Sequence, residues 1–132
     1  MKKIFIFLVA ACIGLAATAQ QPSGTQATFT SLPVNQFVDS IGKSSVVLVD
    51  VRTQKEYETG HIKNASNIVW DKNFDIAVEQ AKLDNTKTIA VYCRSGRRSK
   101  AAAQALASKG FKVLELNTGI LGWQQAGMPV EK

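Results

Sequence analysis

The segment Val46-Val47-Leu48-Val49-Asp50-Val51 is a nearly unbroken run of β-branched and apolar residues. A strand with one wet face alternates apolar and polar residues. A continuous run instead suits a strand covered on both faces, as in parallel sheets flanked by helices. Thr88-Ile89-Ala90-Val91-Tyr92 repeats the pattern more weakly. Phe111 to Leu116, entered through Gly110, is a third strand candidate, and Ile68-Val69 a short fourth.

Helical patterns alternate with these strands. From Pro33 to Ile41, Val34, Phe37, Val38 and Ile41 fall on one helical face, and Pro33 sits near the start, where its missing N–H costs nothing. Asp75 to Leu83 places Ile76, Ala77, Ala81 and Leu83 on a less regular face. Ser99 to Lys109 is alanine-rich, with Ser99 as the expected N-cap and Gly110 just past the end. Gly119 to Ala126 is a last short helix, closed by Gly127-Met128-Pro129. The alternation predicts an α/β domain with a central parallel sheet and helices on both faces. In such sheets ligands bind beyond the carboxyl ends of the strands.

Cys93 stands at that end of the Thr88–Tyr92 strand and opens the loop Cys93-Arg94-Ser95-Gly96-Arg97-Arg98, which leads into the alanine-rich helix. A tight loop before a helix can turn backbone N–H groups inward as an anion nest, with the positive end of the helix dipole behind it. Gly96 permits a close approach that a side chain would forbid. Arg94, Arg97 and Arg98 add positive charge. All of these favour a thiolate, so Cys93 is the expected nucleophile. A buried, inert cysteine with decorative arginines is the blander reading, and the density of cations and glycine argues against it.

The amino terminus reads as an export signal spanning residues 1–19. Lys2 and Lys3 precede an apolar run from Ile4 to Ala17, and Ala17-Thr18-Ala19 forms an Ala-x-Ala cleavage site. The run falls short of the roughly 20 residues that span a bilayer, so no stable membrane insertion is expected after cleavage. Val9-Ala10-Ala11-Cys12 resembles a lipoprotein box, but the apolar run continues past Cys12. Export, most simply to a bacterial periplasm, is the expectation, with lipidation at Cys12 the lesser alternative. Residues 20–28 form a polar lead-in, and residues 29–132 form the domain.

Cleavage would leave about 113 residues, one ordinary domain, and Cys93 as the only thiol. A disulfide within one chain is then impossible despite an oxidising compartment. The net charge of +6 would fall to about +4 without the signal's lysines. No basic run with interleaved aromatics exists outside the loop, so nucleic acid is not an expected partner.

Cys93-Arg94-Ser95-Gly96-Arg97-Arg98-Ser99 resembles the active-site loop of rhodanese-like domains, C-R-x-G-x-R-S. Asp50-Val51-Arg52-Thr53 with Glu56-Tyr57 and Gly60-His61-Ile62 is similar to the family's amino-terminal signature. Asn64 to Ile68 resembles the stretch that follows it. Gly119-Ile120-Leu121-Gly122-Trp123 and Ala126 to Val130 match the carboxyl-terminal one. The likeness covers about residues 30 to 130, and three ordered signatures make chance implausible. Two departures stand out: Thr118-Gly119 where the family usually has two glycines, and Asn64 where it commonly has one. Asn64 can still adopt a left-handed turn.

The resemblance implies a sulfurtransferase with no cofactor and no metal. The Cys93 thiolate would take sulfane sulfur from a small anion such as thiosulfate. The resulting persulfide would pass it to a thiophilic acceptor, either a small thiol or a thioredoxin-like protein. Backbone N–H groups from Arg94, Ser95, Gly96, Arg97, Arg98 and Ser99 would hold the anionic sulfur, and Arg97 or Arg98 the donor's oxyanion.

Asp50 and Arg52 read as structural support at a strand end. His61, the only histidine, excludes a multi-histidine metal site and reads as a turn brace. Trp70 and Trp123 read as packing residues. Two other functional classes compete. A cysteine-dependent phosphatase or arsenate reductase would carry C-x5-R, whereas four residues separate Cys93 from Arg98, and the shorter ring suits sulfur. A non-catalytic sulfur carrier or docking module is the other alternative.

Overall fold

The computed structural model describes residues 27–132. The signal, the lipoprotein box with Cys12 and most of the lead-in lie outside the described residues.

The elements alternate strictly along the chain: β1 (Thr30–Leu32), α1 (Val34–Ile41), β2 (Val46–Asp50), α2 (Gln54–Thr59), β3 (Ser66–Asn67), α3 (Phe74–Ala81), β4 (Thr88–Tyr92), α4 (Arg97–Ser108), β5 (Lys112–Leu116) and α5 (Gly119–Gln125). The five strands form one sheet in the order β1-β5-β4-β2-β3. Every pair is parallel. The expected α/β architecture is therefore the observed one. β2 and β4 are the non-alternating apolar runs because both lie inside the sheet, under helices on each face.

Two cores result. Val49, Val51, Ile89, Val91, Val113 and Cys93 point to one face and pack with Phe74 and Val78 of α3 and with Ala102, Ala103 and Leu106 of α4. Leu48, Ala90, Tyr92 and Leu116 point to the other, against Phe37 of α1 and Ile120 and Trp123 of α5. The alanines of α4 let that helix lie close on the sheet.

Several local expectations need correction. The short fourth strand is Ser66–Asn67, not Ile68–Val69. Its two residues pair with Val49 and Asp50, and Ile68 and Trp70 only continue with isolated bonds to Asp50 and Val51. The α3 helix buries Phe74 and Val78, while Ile76, expected on the buried face, is 58% exposed. Ser99 does not cap α4. The helix starts at Arg97 with Gly96 as N-cap, and Ser99 is buried within it. Gly110, with φ of 97°, does lie just past its end. Two elements had no counterpart among the expected ones. β1 is three residues, two exposed and one half-buried, with no periodicity to read. α2 opens on a full capping box between Thr53 and Glu56.

Candidate active site

Cys93 leaves the carboxyl end of β4, the middle strand of the sheet. The chain then arches back into α4 through Gly96, whose φ is 110°. A Cβ there would stand 2.4 Å from the Asn117 carbonyl oxygen, so no side chain fits. The first turn of α5 clasps the arch from outside. Ile120 N–H donates to Cys93 O at 2.9 Å, and Leu121 N–H donates to Arg94 O at 3.1 Å. Gly119, with φ of 65°, makes this possible, since its Cβ would lie 2.2 Å from Arg94 O. In a trans peptide the N–H points opposite to the C=O. Drawing Arg94 O outward therefore turns Ser95 N–H inward.

Cys93, whose sulfur lies at the centre, is 1% exposed. Gly96 N–H donates to Sγ at 3.1 Å, and Ser99 Oγ lies 3.4 Å away. Burial pushes the thiol pKa up. Hydrogen bonding by the Ser99 hydroxyl and by the backbone N–H groups of Ser99, Gly96 and Ser95 outweighs it, leaving the pKa below the ordinary thiol value. The cradle favours an anion on sulfur by short-range donors.

The arginines divide into two kinds. Arg98 makes a bidentate pair with Glu56 of α2, Nη1 to Oε1 at 2.7 Å and Nη2 to Oε2 at 3.0 Å. Arg94 and Arg97 are exposed and have no ion-pair partner among the described residues. Of the two arginines expected at a donor oxyanion, Arg97 keeps its guanidinium open, and Arg94 joins it. Ser95 is exposed at the top of the arch.

Asp50 and Arg52 form a buried pair, Nη2 to Oδ2 at 2.6 Å, and the same Nη2 donates to Gly60 O at 2.7 Å. The Asn67 amide donates to Asp50 O and Arg52 O. Together they tie the end of β2 to the turn after α2 and to β3. His61 stacks on Tyr57 with centroids 3.9 Å apart and exchanges both backbone bonds with Glu131. It braces the carboxyl-terminal segment. Trp123 is buried with Nε1 donating to Pro129 O, and Trp70 packs edge-on against Phe74.

Two acidic residues were missed by sequence reasoning. Glu56 is betrayed by its capping box with Thr53. Glu115 is wholly buried; its Oε2 accepts from Ser99 Oγ at 2.5 Å. The available signal was a charge inside a strand otherwise apolar, Val113-Leu114-Glu115-Leu116, since a buried carboxylate must find donors.

Comparison with known proteins agrees with this fold. The sequence model of the Rhodanese-like domain family matches residues 33–126. A protein named sulfurtransferase from Allochromatium vinosum is 34% identical over 86 residues, 64% of this chain and 78% of that one. An uncharacterized protein of Synechocystis is 36% identical over 91 residues, 68% of this chain and 49% of its own length. The chain thus spans about half the length of that relative. Among solved structures, a rhodanese-related protein from Thermoplasma volcanium superimposes with a TM-score of 0.68 at 28% identity, covering 78% of this chain and 98% of that one.

Proposed function

This chain belongs to the rhodanese-like domain family, and we propose that it transfers sulfane sulfur through a persulfide on Cys93. The observation that carries the reading is the sulfur itself, set beyond the end of β4 with the Gly96 N–H directed at it at 3.1 Å and Ser99 Oγ 3.4 Å away. The thiolate attacks the outer sulfur of thiosulfate or a similar anion. A bond forms between Cys93 Sγ and that sulfur, the donor's S–S bond breaks, and sulfite leaves with the electron pair. The backbone cradle holds the anionic persulfide until a thiol or cyanide removes the terminal sulfur. Arg94 and Arg97, open at the mouth, attract the donor anion.

The acceptor in this proposal is a small thiol or a thioredoxin-like protein. With residues 1–19 acting as an export signal, the working place is the periplasm, and any second thiol comes from outside the chain. Intact mass of the purified protein, before and after thiosulfate, tests the core of the proposal. A gain of about one sulfur atom, reversed by cyanide, is expected. Cys93→Ser should lose both the added mass and turnover, and a variant that keeps either sinks the assignment.

A further inference from the structure

A hydroxyl group has one proton and two lone pairs. Ser99 Oγ stands between two groups that both want that proton, Cys93 Sγ at 3.4 Å and Glu115 Oε2 at 2.5 Å. The much shorter contact belongs to Glu115. With the Ser99 proton directed to the carboxylate, Ser99 offers Cys93 a lone pair, and the thiol is the donor. A thiolate needs the reverse, Ser99 donating to sulfur. One rotor cannot serve both acceptors at once.

We propose that Glu115 is a positioning residue that acts through Ser99 as the proton acceptor of Cys93. The S–H bond breaks and its proton passes to Ser99 Oγ. The Ser99 O–H bond breaks and that proton passes to Glu115 Oε2. The products are a thiolate and a carboxylic acid. Ser99 now donates to the sulfur, and the acid donates to Ser99. No proton enters or leaves, and one negative charge stays within the buried trio. The relay gives a thiol that is 1% exposed a way to ionise without water at the sulfur.

Further donors hold the Glu115 carboxylate in place. Ser31 Oγ on β1 bonds Oε1, and Lys100 Nζ on α4 lies 3.4 Å from both carboxylate oxygens. From β4, Val91 is the apolar partner across the ladder. Arg98, paired with Glu56, also acts on the sulfur. A proton shared in this way makes the ionisation a property of the pair and not of either residue alone.

The inference rests on Cys93 being the nucleophile, but its test reads the thiol and not sulfur transfer. Ultraviolet absorbance of the thiolate is followed against pH, with Cys93→Ser as the blank. A shared proton predicts that wild type shows two steps separated by a plateau of partial thiolate. Glu115→Gln cannot take the proton, so it should show a single step, whereas Ser99→Ala removes the hydroxyl that donates to the thiolate, so its plateau should be lower than in wild type. In Glu115→Gln that step should lie toward lower pH, because the amide donates to Ser99 and turns its proton to the sulfur. A single step in wild type overturns the proposal, as does a two-step curve that survives in Glu115→Gln or a plateau undiminished in Ser99→Ala. The wild-type curve decides even if a variant fails to fold. Two-step titration without any thiosulfate turnover would overturn the sulfur-transfer reading and leave the relay standing.

Discussion

Glu56 serves two partners at once. It closes the capping box of α2 and holds Arg98 in a fork. The Arg98 hydrogen bonds pull its carboxyl down from 4.5 to about 2, against a smaller effect of burial and with help from Thr53. A depressed folded pKa stabilises the fold above the unfolded value and loses that contribution as pH falls through the folded one. The pair is thus fully effective above 4.5 and spent near 2. Glu56→Gln should lower stability at neutral pH by about 0.2–1 kcal/mol, the range for partly exposed pairs. In urea unfolding, its stability curve should meet wild type near about pH 2 and fall below it by about pH 5. Superimposable curves at every pH would show that the fork carries no stability. The carboxamide also weakens the hold on Arg98, so a change in KM for the proposed donor reads that guanidinium together with the capping box.

Among the elements, α5 does the most for the site while being one of the shortest helices, and its fit depends on a matched pair. Thr118 stands where the family usually has glycine. It adopts φ of −101°, an ordinary conformation that needs no glycine. Its side chain occupies space left empty at Gly122, where a Cβ would fall 2.0 Å from Thr118 Oγ1. Gly122→Ala should therefore destabilise by about 1–3 kcal/mol through overpacking. Adding Thr118→Gly should recover most of it, and a double-mutant cycle in thermal unfolding measures the coupling. Additive effects would mean that the two residues do not share one space. The same comparison shows what could be read beforehand. β2, β4 and the Cys93 loop were legible because continuous apolar runs and a dense cationic loop leave few alternatives. The clasp of α5 on the loop was not, since it joins backbone groups 27 residues apart in sequence, Ile120 N–H with Cys93 O. Ser99 misled for a related reason. Serine before an alanine-rich run is a good cap locally, but the buried Glu115 competes for its hydroxyl, and Gly96 starts the helix instead.

At the scale of the molecule, the sheet separates two cores with different duties. Cys93 belongs to the one beneath α3 and α4, whereas Phe37 anchors the other. Phe37→Ala should cost about 3–5 kcal/mol and Leu106→Ala about 2–5 kcal/mol. Their effects on turnover should differ. Leu106 shares a core with Cys93, so its loss should lower thiosulfate turnover in molecules that remain folded, and Phe37→Ala should leave it closer to wild type. Equal losses at matched stability would mean that the two cores are not independent.

β1, at the outer edge of the sheet, is only three residues long, yet it supplies Ser31 to the carboxylate of Glu115. Edge strands open locally far more often than central ones. Each opening of β1 removes a donor from Glu115 while leaving β4 and the cysteine loop intact. Under the proposed relay, the acidity of Cys93 is thereby tied to the breathing of a remote seam. A ligand or partner that pinned or peeled that seam would tune the sulfur without ever approaching it.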